Sequence, residues 1–136
     1  MESTANLHLP YIMPSQAQKH VTHNEALALL DAVVQLSVRD RDLTEPAGAE
    51  SEGDRYIVAA GATGPWEGWD GAVALWENGG WRRIEPKPGW LAWVEDEETL
   101  VRRTGDAWAD LGNAFAALQG LSLLGVGTAA DAANPF

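Results

Sequence analysis

Residues 72–84 read Ala72-Val73-Ala74-Leu75-Trp76-Glu77-Asn78-Gly79-Gly80-Trp81-Arg82-Arg83-Ile84, and they decide the fold class. Two short runs rich in β-branched and aromatic residues flank an Asn-Gly-Gly that adopts positive φ at little cost, so the stretch predicts a β-hairpin. A hairpin of similar make follows from Leu100 to Leu111 around Thr104-Gly105-Asp106, with Trp108 and Leu111 standing where Trp81 and Ile84 stand in the first. The repeat is about 27 residues, and two copies are too few for a solenoid, so it predicts two hairpins sharing one core.

Outward from these hairpins, Arg55 to Ala59 and Trp90 to Glu95 are further strand-like runs bounded by turn residues. The spacing is that of an antiparallel meander. The loop from Gly61 to Gly71 is glycine-rich and carries Trp66 and Trp69, so it reads as a protruding contact loop. Glu95-Asp96-Glu97-Glu98 reads as a solvated hairpin tip, because adjacent like charges avoid burial.

Towards the N-terminus the period changes. Val34, Leu36 and Val38 alternate with polar residues as in a half-buried strand, whereas Leu27, Leu30 and Val34 share one helical face. Thr22-His23-Asn24-Glu25 fits a capping box, which predicts a helix over about residues 23–32, with an earlier turn from Ser15. Asn6 to Pro14, bracketed by Pro10 and Pro14, predicts an extended arm. Its Leu7, Leu9, Tyr11 and Ile12 need burial on their own domain or on a neighbouring subunit. Beyond Leu111 the chain turns small and apolar, and Leu121, Leu123, Leu124, Val126 and Phe136 are candidate assembly contacts. The fold class is therefore α+β: an extended arm (1–14), a helix plus a small antiparallel β-meander domain (15–111), and an apolar C-terminal extension for assembly (112–136).

Composition excludes several functions. Of the 136 residues, 20 are acidic and 9 basic, and the net charge of −11 disfavours nucleic acid and anionic membranes as partners. The absence of cysteine removes disulfides and thiolate chemistry. The first residues lack the pattern of a secretory signal, and the expectation is a cytoplasmic protein during assembly. His20 and His23 are three apart but lack the further ligands of a metal site, and no nucleophile elbow, phosphate loop or metalloprotease helix is present in the sequence. The reading is a non-enzyme without cofactor.

Seven tryptophans lie between residues 66 and 108. Trp76, Trp81, Trp90, Trp93 and Trp108 fall on strands and read as core. Trp66 and Trp69, with Glu67 and Asp70, are the candidate glycan or partner contact, since indole faces stack on sugar rings and carboxylates accept hydroxyl bonds.

The run from Leu9 to Leu27, LPYIMPSQAQKHVTHNEAL, followed by Leu30-Asp31-Ala32, resembles a family of phage and gene transfer agent proteins. Gly53 to Val58 and Trp90 to Val94 fit the same pattern. The resemblance implies a structural protein of a head spike that helps a phage-like particle adhere to its host. The tail from Leu124 to Asn134 is similar to the joint that precedes distal modules in longer fibre proteins, which implies a base or adaptor. The partners so implied are further copies in a closed pentamer or trimer, a capsid vertex protein and a spike fibre protein, with the particle surface as final location. The alternative is a carbohydrate-binding module that contacts capsular polysaccharide.

Overall fold

The computed structural model describes residues 2–12 and 19–112. The turn expected from Ser15 and the contacts expected at Leu121, Leu123, Leu124, Val126 and Phe136 lie outside the described residues.

One helix, α1 (Lys19–Val33), precedes seven strands: β1 (Ser37–Val38), β2 (Arg55–Ile57), β3 (Val73–Glu77), β4 (Gly80–Ile84), β5 (Leu91–Val94), β6 (Thr99–Arg103) and β7 (Trp108–Asp110). The class is α+β, as the sequence predicts. Both hairpins form: Trp76 pairs with Trp81 across the Asn78-Gly79 turn, and Arg103 pairs with Trp108. Asn78 and Gly79 both have positive φ, 51° and 76°, as a two-residue hairpin turn requires.

The strands do not form one meander. They divide into a three-stranded sheet, β2-β3-β4, and a four-stranded sheet, β1-β5-β6-β7, in which β1 runs parallel to β5. The expected strand from Val34 shortens to Ser37–Val38 for a local reason. The Val34 amide closes the last helical turn on the Leu30 carbonyl, and Gln35, at φ 55°, reverses the chain. Arg39 and Asp40 then run along the free side of β2, bonded to Arg55 and Ile57, and so link the sheets.

α1 begins four residues before its expected start. Thr22 and Glu25 therefore lie inside it rather than at a cap, and Asn24 instead gives and receives hydrogen bonds with the Ile12 backbone at 3.0 and 2.9 Å. The helical face also differs. Ala32 is buried and Leu29 and Val33 pack on the core, whereas Leu30 and Val34 are 49% and 39% exposed. Two apolar stripes compete on this helix, and the core takes the one nearer Leu36.

The main core lies between the two sheets beneath α1. Ile57, Val73, Leu75 and Ile84 meet Val38, Ala92, Val94 and Val101 there, and Trp90 and Trp108 pack against it. A second core covers the opposite face of the three-stranded sheet. Tyr56, Val58, Ala62, Trp66 and Ala74 form it, with Leu43, Trp69 and Trp81 packed around them.

Candidate functional site

The arm docks on its own domain at Asn24, which holds Ile12, and at a node built on the Asp31 carboxylate. Asp31 accepts hydrogen bonds from the Thr4 hydroxyl at 2.7 Å, the Asn6 amide at 2.9 Å, the Asn6 side chain at 3.0 Å and the Leu7 amide. Arg55 completes the node, donating to the Ala32 carbonyl at 2.9 Å and to the Asn6 side-chain oxygen at 3.2 Å. Burial pushes the Asp31 carboxyl up, but the Thr4, Asn6 and Leu7 donors outweigh it and hold its pKa below the usual range. Of the arm's candidate contacts, Leu9, Tyr11 and Ile12 are half-buried and Leu7 is exposed.

The glycan contact expected in the 61–71 loop is not assembled. Trp66 is fully buried, its ring edge-on to Trp81 at 5.0 Å and tilted against Tyr56 at 5.5 Å. A buried indole presents no face to a ligand, so Trp66 is core, and the loop folds back over the sheet rather than protruding. Pro65 opens a single 3₁₀ turn, Gly64–Trp66, that turns the ring inward. Asp70 accepts hydrogen bonds from the Gly61 and Ala62 amides at 2.9 and 3.1 Å, which lower its pKa and close the loop. Trp69 packs half-buried on the same cluster, and of the four only Glu67 stands free of the loop's own packing.

Trp93 departs in the other direction. Expected in the core, it is 41% exposed, because Ala92 and Val94 occupy the inner face of β5. Its neighbour on the outer face, Leu91, is 50% exposed. Register places Trp93 opposite Leu100 and Leu91 opposite Arg102, and Arg102 opposite Ala109, so the outer face of the four-stranded sheet carries Leu91, Trp93, Leu100 and Ala109 with one guanidinium. This apolar face and the Leu30–Val34 patch at the end of α1 are uncovered apolar surfaces among the described residues, beside the singly exposed Leu7 and Val21.

Open concave regions also mark the surface of the described residues. An open cleft of about 440 Å³ lies between the 59–71 loop and the β6–β7 hairpin. In it the Trp108 indole and Arg103 both donate to the Gly71 carbonyl, at 2.9 and 3.2 Å, and Arg103 lies over the Trp108 ring at 5.8 Å. Arg41 at its rim is held by Glu97 and Asp110, at 2.7 and 2.9 Å. A second, of about 340 Å³, lies between α1 and the β3–β4 hairpin and is lined by Tyr11, Val21, Glu25, Glu77 and Arg82. Asp40, Asp42 and Asp96 bring carboxylate oxygens within 4.8 Å of one another at the tip of the β5–β6 hairpin. Desolvation of the exposed Asp96 carboxylate by its neighbours, and then the charges of Asp40 and Glu97, raise its pKa there.

The profile of a family described as a protein of unknown function (DUF2793) matches residues 23–109, well over half the chain. The chain belongs to the DUF2793 family. The DUF2793 match runs from α1 into β7 and so takes in both sheets, both cores and both uncovered apolar surfaces. No curated protein matches the chain.

Proposed function

We propose that this DUF2793 protein is a non-catalytic structural component of a phage-like particle: an oligomeric base or adaptor of a head spike or fibre, linking a capsid vertex protein to a fibre protein and aiding host attachment. The observation that carries the reading is the pair of apolar surfaces that the described residues leave uncovered, the Leu91–Trp93 sheet face and the Leu30–Val34 patch at the end of the helix, on a chain of net charge −11. Apolar area in a solvated acidic surface is stabilised by contact with another protein. Two separate surfaces suit a part that joins two kinds of neighbour, or further copies on one side and a capsid or fibre on the other. The resemblance of Leu9 to Leu27 to gene transfer agent proteins supports the particle setting.

The test is antibody labelling of purified particles together with the native mass of the protein by light scattering. The expected result is label at the vertices and a closed oligomer that Leu91→Ser with Trp93→Ser dissociates without lowering the unfolding midpoint. Particles free of the protein would overturn the reading.

A further inference from the structure

We propose that β4 is a pairing edge for a second copy of this chain: two subunits join their three-stranded sheets antiparallel about Arg82, with Trp81 of each across from Arg83 of the partner subunit. The free edge follows from the register. Glu77 pairs with Gly80 around the two-residue turn, so the backbone groups of Gly80, Arg82 and Ile84 bond β3, and those of Trp81 and Arg83 point outward. The opposite edge of this sheet is occupied, since Arg39 donates to the Arg55 carbonyl and the Ile57 amide donates to Asp40. β7, the edge of the other sheet, has three residues against five in β4. β4 is thus the longest open edge among the described residues, and an open edge is a template for another strand.

The strand's own side chains favour a second copy of this chain. In a chain with 20 acidic and 9 basic residues, Arg82 and Arg83 stand side by side on this strand. Arginines on an edge ordinarily discourage pairing. Here each is already matched, Arg82 by Glu77 at 3.4 Å and Arg83 by Glu85. Trp81 and Arg83 project from the same sheet face, the one that carries Tyr56 and Ala74. A two-fold axis at Arg82 sets the two copies of Arg82 opposite one another, each neutralised by its own Glu77, and puts each Trp81 directly opposite Arg83 of the partner subunit, in pairs that exchange main-chain hydrogen bonds, where a guanidinium over an indole is favourable. An axis at Arg83 would set Trp81 against a glutamate instead, which the negative face of the ring disfavours. The contact is isologous and closes on itself, bounded by the Asn78-Gly79 turn and Pro86.

The pairing stands apart from the spike-base reading, because it is two-fold where a vertex ring is three- or five-fold and it uses neither apolar surface. The test is the mass of the full chain by sedimentation equilibrium. Wild type is expected at an even multiple of 14.6 kDa. Arg83→Pro removes an outward amide without touching the bonds to β3, so it should halve that mass with the unfolding midpoint kept within a few degrees. Should the proline variant fail to fold, Arg83→Glu decides, with pairing weakened at least tenfold and Arg83→Lys retaining it. A monomeric or odd-numbered wild type, or a folded Arg83→Pro or Arg83→Glu of unchanged mass, would overturn the pairing. Loss of mass in the Leu91 and Trp93 variants alone speaks only to the ring.

Discussion

Asp31 ties the first part of the arm to the helix with a single side chain, and its donors come from Thr4, Asn6 and Leu7. Because the folded carboxyl titrates below its ordinary value near 3.9, its stabilisation is present above that pH and is lost as pH falls through the lower folded value. The protection of the amides of residues 4–9, relative to their intrinsic exchange, should therefore fall on acidification below about pH 4, before the strands lose theirs. Asp31→Ala should cost about 2–3 kcal/mol, as expected when a buried set of donors loses a charged acceptor, and should abolish that acid step. Protection that stays flat through this range would show that Asn24 and the arm's apolar contacts hold it without Asp31. Gly53 serves the same node through its backbone. At φ 90°, a Cβ there would lie 2.6 Å from that of Ala5, so the close approach of arm and sheet requires glycine.

At the scale of elements, the 61–71 loop behaves as a lid on the second core. Trp66→Ala should cost about 3–5 kcal/mol in urea unfolding, the range for removing a fully buried large aromatic, and Trp69→Ala less than half of that. Equal and small losses would return Trp66 to the surface. Strand positions are legible because turn residues punctuate them, and the run from Trp90 to Glu95 holds β5, Leu91–Val94, with one residue to spare at each end. What the sequence left undecided was direction. Leu91-Ala92-Trp93-Val94 is apolar on both faces, so alternation fixes that Leu91 and Trp93 share a side without saying which side is in. Leu27, Leu30 and Val34 against Leu29, Ala32 and Val33 pose the same ambiguity on α1. The capping box at Thr22 does not form because the helix already starts at Lys19, and Asn24 bonds the arm. The anchoring role of Asp31 had no local signal, since its partners lie 24 to 27 residues away.

For the molecule as a whole, a charge of −11 opposes any approach of identical copies. Screening shortens that repulsion to about 10 Å at 0.1 M salt, so self-association through apolar or backbone contacts should strengthen as salt rises from 0.02 toward ~0.5 M. Sedimentation velocity across that series checks it, and dissociation by salt would point to ion pairs as the joining contacts instead. The two sheets also differ in how far along the chain their partners lie. β2, β3 and β4 are consecutive neighbours, whereas β1 finds its partner only when Ser37 meets Trp93. Loop-closure entropy favours the nearer pairings first. During synthesis the three-stranded sheet and its tryptophan lid can consolidate early, while Leu36 and Val38 wait, unpaired and apolar, for β5 to leave the ribosome. That interval makes the segment after α1 the part of the nascent chain most in need of a chaperone.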